Sequence, residues 1–139
     1  MIRTHGFLHI TISVKDLARA TAFYHDVLGC EIVHTNPIMT FMKTGSDHFV
    51  LTQLDNHVRP NPPGPIGLGT TLFHHAMLVE PDEFDAIVAE LHARGIETYD
   101  CSDAGHRTFP GRRHAYLFDP DGNSIELTTL IAADRAGIA

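Results

Sequence analysis

The chain has 139 residues, 43% of them hydrophobic, and a formal net charge of -7 with its 11 histidines counted neutral, so it can bury a core without staples and is neither fibrous nor disordered. Its basic residues are scattered, which argues against nucleic acid or a membrane surface as partner, since both need clustered Lys and Arg. The N-terminus MIRTHGFLHI has no apolar signal region, no stretch nears the ~18 apolar residues of a membrane span, and Cys30 and Cys101 are the only thiols, so a cytoplasmic protein with reduced cysteines is expected.

The first predicted element is FLHITISV. Leu8, Ile10, Ile12 and Val14 share one parity and His9, Thr11 and Ser13 the other, the period of a half-buried strand. KDLARATAFYHDVLG follows, with Leu17, Ala20, Phe23, Tyr24 and Leu28 at helical spacing and Gly29 placed to end the helix. CEIVHT, IMTFMKT and HFVLTQL read as three short strands, with TGSD as a turn between the last two. NHVRPNPPGPIGLGTT, rich in Pro and Gly, interrupts all periodicity and reads as a linker.

The pattern then starts again. LFHHAMLV reads as a strand, PDEFDAIVAELHARG as a helix, and ETYDC, HAYLF and SIELTTL as strands. His9 and His74 are 65 residues apart, Val14 and Val79 also 65, and Gly29 and Gly95 66, so one unit is used twice nearly in register. Repeats too short to fold alone pack on each other to bury a common surface. The expected architecture is therefore α+β: two tandem βαβββ units, at about 5–54 and 71–130 with a linker at about 55–70. They form a single domain whose curved mixed sheet encloses a cleft, with one helix per unit on the outer face.

If Ile10, Ile12 and Val14 pack under the helix, His9, Thr11 and Ser13 face the cleft. The same parity turns His74, Ala76 and Leu78 inward, and Ser124, Glu126 and Thr128 on the last strand. With 11 histidines in the chain, one on a strand is ordinarily a surface residue. His9 and His74 are singled out because they are equivalent positions in two copies, and Glu126 shares their inward parity. Two neutral imidazoles and a carboxylate with positions left open describe the facial set associated with non-haem Fe(II), and Mn(II) or Zn(II) suit the same donors.

On LHITISVKDLARATAFYHDVLGCEIV, FHHAMLV and above all YLFDPDGNSIEL, the chain resembles the vicinal oxygen chelate superfamily, which includes glyoxalases, fosfomycin-resistance enzymes, antibiotic-binding proteins and extradiol dioxygenases. The likeness runs from residue 5 to about 130. It implies His9, His74 and Glu126 as metal ligands, in agreement with the parity argument, with His75 on the opposite face. Glyoxalase-like members add a glutamate from the last strand of the first unit; here that strand offers only Thr52 or Gln53, and Gln53 matches an epimerase branch. The resemblance extends furthest to small single-pair extradiol dioxygenases such as L-DOPA dioxygenase. These carry a tyrosine ten residues before the carboxylate, here Tyr116, and a histidine upstream of it, here His106 with His114 nearer. It implies an Fe(II)-dependent enzyme that cleaves a small catechol with dioxygen, and pairing into homodimers. Fosfomycin thiol transferases match through Thr11 and Tyr116 but differ in the tail ELTTLIAAD, and a binding-only relative is the remaining alternative.

Histidine accepts and donates protons near neutrality. His106 is thus the first acid/base candidate and His57 the second, each weighed against an ordinary solvated loop histidine. Arg59, Arg107, Arg112 and Arg113 gather near the expected opening, where one of them would clamp a substrate carboxylate by paired donors.

Overall fold

The computed structural model describes residues 7–60, 73–99 and 111–130, and the chain divides into two compact units, Met1–Arg59 and Pro60–Ala139.

In the first unit β1 (Ile10–Val14) leads to α1 (Leu17–Ala22), which widens into a π-helical turn over Phe23–Val27. Asp16 starts the helix: its carboxylate accepts from the Arg19 amide at 3.0 Å, satisfying a first-turn N–H that has no partner within the helix. Gln53 Oε1 accepts from the Leu17 amide at 3.1 Å and satisfies another. Beyond the π turn the helix stops at Gly29, whose φ of 69° is a left-handed conformation open to glycine. Strands β2 (Glu31–Thr35), β3 (Met39–Thr44) and β4 (Asp47–Gln53) follow, and the sheet order is β1-β4-β3-β2. β1 and β4 are parallel, with Thr11 opposite Val50 and Ser13 opposite Thr52.

The expected parity of β1 holds from Ile12 onward, whereas Leu8 and Ile10, expected in the same apolar row, are exposed. Ile12 and Val14 are buried with Leu17, Ala20, Tyr24, Met42, Phe49 and Leu51, whereas Thr11 is exposed and Ser13 half-buried. The Tyr24 ring lies 5.3 Å from that of Phe49, so the π turn packs against β4.

The second unit repeats the plan with β5 (His74–Leu78), α2 (Phe84–Ala93), β6 (His114–Phe118) and β7 (Ser124–Thr128), in the order β5-β7-β6. Again β5 and β7 are parallel, and β6 and β7 antiparallel. Gly95, with φ of 74°, ends α2 as Gly29 ends the first helix. Met77, Phe84, Leu91, Ala115, Leu117, Ile125 and Leu127 form the buried apolar set. The strand expected over ETYDC is reduced, among the described residues, to one bridge between Tyr99 and Tyr116, so this sheet has three strands where four were expected. Glu97 and Tyr99 bond side chain to side chain at 2.9 Å. Cys101 lies outside the described residues. No helix among the described residues is long and apolar enough to cross a membrane.

Candidate metal centre

β7 is the middle strand of its sheet and is buried along its whole length, an expensive place for an acidic side chain unless that side chain is paired. Its register sets Glu126 opposite Ala76 of β5 and Tyr116 of β6. Alternation then puts His74, Glu126, Tyr116 and His114 on one face of the sheet, while Met77, Ile125, Leu127, Ala115 and Leu117 fill the other.

The turn that delivers β7 is clamped by its own first residue. Buried Asp119 accepts at Oδ1 from the amides of Asp121 and Asn123, both at 2.9 Å, and at Oδ2 from Asn123 Nδ2 at 2.8 Å. The Gly122 amide closes the turn on the Asp119 carbonyl at 3.1 Å. The residues DPDGN thereby fix the β6–β7 register, and with it the position of Glu126.

Glu126 Oε2 stands 3.0 Å from His74 Nε2, and Oε1 stands 2.5 Å from His114 Nδ1. Thr128 Oγ1 is 3.2 Å from that same nitrogen. Burial alone raises the Glu126 pKa, but the hydrogen bonds and charge interactions of His74 and His114 together outweigh it and hold the carboxyl below its ordinary value. It is therefore ionised at neutral pH and acts only as an acceptor, so the imidazole nitrogens facing it donate. The Tyr116 ring meets His74 edge to face, 5.5 Å between centroids. His75 points to the other side of β5; burial and then the neighbouring His74 push its pKa down to about 4.

These donors fit a divalent ion. Cis ligands of an octahedral ion with bonds of about 2.1 Å stand ~3.0 Å apart, the separation of His74 Nε2 and Glu126 Oε2. One imidazole nitrogen, once it has given up the proton it donates to Glu126, and one carboxylate oxygen suit Fe(II), Mn(II) or Zn(II). Among the described residues no three His, Cys, Asp or Glu side chains are grouped so as to hold an ion by themselves; the second unit assembles a pair of donors. His9, the expected third, belongs to the first unit, where it is exposed and immediately precedes β1.

Of the other expected site residues, Thr11 sits on β1 on the parity of His9, and His57 is held on the same parity by Ser13, Oγ to Nδ1 at 3.0 Å. Arg59 is exposed at the end of the first unit and Arg112 half-buried ahead of β6. Arg113 is committed elsewhere: its guanidinium donates to both carboxylate oxygens of Asp85 and covers the Phe84 ring at 4.3 Å from its centroid. That bidentate fork is spent on the helix side of the sheet, which removes Arg113 as a free substrate clamp. Gln53, weighed as a ligand, caps α1 instead and lines a cleft of about 520 Å³ with Asp16, Thr21 and Thr40. His106 and Arg107 lie outside the described residues. His114 belongs to this face as well: it stands two positions before Tyr116, a signal available from parity alone.

Comparison with known proteins gives the family and the fold. The family model described as Glyoxalase/Bleomycin resistance protein/Dioxygenase superfamily matches residues 6–127. Biphenyl-2,3-diol 1,2-dioxygenase 3 of Rhodococcus globerulus is 30% identical over 91% of this chain, and the chain spans 64% of that relative's length. Metallothiol transferase FosB of Staphylococcus epidermidis is 25% identical over 94% of this chain and 87% of its own. Among solved structures, fosfomycin resistance protein FosX of Listeria monocytogenes, complexed with Mn(II) and sulfate, superposes with a TM-score of 0.69 at 21% identity, covering 96% of this chain and 99% of that one. Its likeness concerns the fold.

Proposed function

The chain belongs to the glyoxalase/bleomycin resistance protein/dioxygenase superfamily, and we propose on that premise that it is a metal-dependent enzyme whose ion is held by His9, His74 and Glu126. The observation that carries this reading is the buried, ionised Glu126 carboxylate with an imidazole nitrogen 3.0 Å from the oxygen it offers. The chemistry such an ion supplies when bound is Lewis acidity toward two adjacent oxygens of a small substrate.

The reaction we favour is extradiol cleavage of a small catechol with Fe(II) as the metal. Both atoms of dioxygen enter the product as the ring bond beside one hydroxylated carbon breaks, leaving a carboxylic acid and an enolisable carbonyl. Tyr116, edge to face with His74, presents its phenol to the substrate's oxygen. His57, oriented by Ser13, and His106 are the groups proposed to take and return the hydroxyl proton. Arg59, Arg107 and Arg112 are the cations proposed for a carboxylate or amino-acid side chain on the ring, as on L-DOPA.

A second reading is transfer of a thiol, as the name metallothiol transferase suggests for FosB, here by addition to an epoxide such as fosfomycin. It is favoured by the relatives: FosB is 25% identical over 94% of this chain, and glutathione transferase FosA of Serratia marcescens 25% over 86%. One pair of assays separates the two. Protein loaded with Fe(II) under anaerobic conditions and then mixed with aerated catechols should take up oxygen and form a yellow product. Mn(II)-loaded protein given fosfomycin and a thiol should leave the thiol unconsumed. Thiol loss without oxygen uptake would replace the first reading with the second.

A further inference from the structure

Glu126 has two oxygens, and the second unit uses both. Oε2 lies beside His74, on the side where the proposed ion sits, whereas Oε1 is tied back into the sheet by His114. The His114 side chain is 6% exposed, and the pairing of β6 with β7, His114 opposite Thr128, sets its ring over the carboxylate rather than toward water. Its Nδ1 contacts Glu126 and the Thr128 hydroxyl. Its Nε2 is buried with no hydrogen-bond partner among the described residues. A buried imidazole with one nitrogen unsatisfied is costly, so the other nitrogen's bond to Glu126 must offset both that cost and the ring's own desolvation.

We infer that His114 is a positioning residue for the Glu126 carboxylate: it donates from Nδ1 to Oε1, pins the carboxylate plane, and leaves Oε2 as the single oxygen offered to a metal beside His74. The inference rests on the metal-centre reading above. It follows from geometry, because a carboxylate that already accepts a short bond at one oxygen cannot swing to grip an ion with both. The consequence is a one-oxygen ligand, which keeps coordination positions open for substrate and disfavours large ions that prefer two-oxygen carboxylates.

The test uses the full chain stripped with chelator and titrated with Mn(II), free ion being read by electron paramagnetic resonance, and separately loaded with Co(II) for its visible spectrum. Loss of an orienting partner of a metal ligand lowers affinity ~10–100-fold. His114→Leu, which fills the space and removes the donor, should weaken Mn(II) binding by that factor and change the intensity of the Co(II) bands as Glu126 becomes free to turn. His114→Asn, whose amide nitrogen lies where Nδ1 does, should restore affinity to within about threefold and reproduce the wild-type Co(II) spectrum. Should the leucine variant fail to fold, His114→Gln takes its place, with an amide nitrogen at the Nε2 position and the loss still expected. Wild-type affinity and spectrum in the leucine or glutamine variant would overturn the inference, and so would equal losses in the asparagine and leucine variants, the signature of a merely structural role. Glu126→Gln is the control for the underlying reading: if wild-type protein binds no Mn(II), or binds it as well with this substitution, the metal centre itself is wrong and the positioning role falls with it.

Discussion

Removing the carboxylate of Asp119 should reach the site through the backbone. The buried side chain accepts three hydrogen bonds, two from amides at 2.9 Å and one from Asn123 Nδ2 at 2.8 Å. Asp119→Ala deletes all three and leaves the Asp121 and Asn123 amides without that acceptor in a buried turn. Bonds to a charged group contribute about 1.5–3 kcal/mol each, and an orphaned buried donor costs about 1–3 kcal/mol. Set against relief of the carboxylate's own desolvation, the net loss is about 3–4 kcal/mol, or roughly 10 °C in Tm for a chain of this size. Asp119→Asn keeps Oδ1 for both amides and sacrifices only the charge and the Asn123 side-chain contact, so it should lose about 1 kcal/mol. Because the same turn sets the register that brings Tyr116 and His114 alongside β7, the alanine variant should also bind Mn(II) more weakly than its melting temperature alone explains. Thermal melts with and without Mn(II) check both parts. A Tm for Asp119→Ala within about 3 °C of wild type, or an asparagine variant as damaged as the alanine one, would refute the clamp.

Two other groups give predictions of a different kind. Cys30 is buried, and burial lifts its thiol pKa to about 11 against the bond to Thr44 that lowers it; in a Cys101→Ser background it should resist maleimide at pH 8 and react fully in denaturant, and rapid native labelling would contradict the packing of the π turn against β4. His75, with its folded-state pKa at about 4 and an unfolded value of ~6.5, is neutral in the fold where the unfolded chain is already protonated. Its contribution to stability is intact above pH ~6.5 and is lost as pH falls toward 4. Chelator-treated wild type should therefore lose about 1–2 kcal/mol more than His75→Gln between pH 7 and 5, measured by urea unfolding; parallel slopes for the two proteins would refute this.

The parts of the site legible in the sequence are those governed by the strand period of two. His74 and Glu126 share a parity on parallel neighbouring strands, and the structure brings them to 3.0 Å. The strand-helix-strand plan and the glycine at each helix end were legible for the same reason: local periodicity and a left-handed cap leave marks in a single chain. What parity does not encode is which polar residue a neighbouring element has already claimed. Gln53 sits on a predicted strand like any other, and only the approach of α1 shows that its oxygen is taken by the Leu17 amide. Arg113 reads as a cation near the opening, yet Asp85, 28 positions earlier, captures it. The π turn at Phe23–Val27 keeps helical spacing approximately, so the sequence reads as continuous helix. The missing regularity around Tyr99 has a similar origin, since a single bridge and a paired strand have the same residue types.

The proposed centre is one divalent ion per chain, held by His9, His74 and Glu126, and metal stoichiometry tests it most directly. Wild-type protein, stripped and then dialysed against a small excess of Fe(II) or Mn(II) and analysed by mass spectrometry of the metal, should retain about one ion per chain, and His9→Ala, His74→Ala and Glu126→Gln should each retain less than about a tenth of that. Wild type that keeps none, or a His9→Ala protein that keeps its full equivalent, would contradict the account.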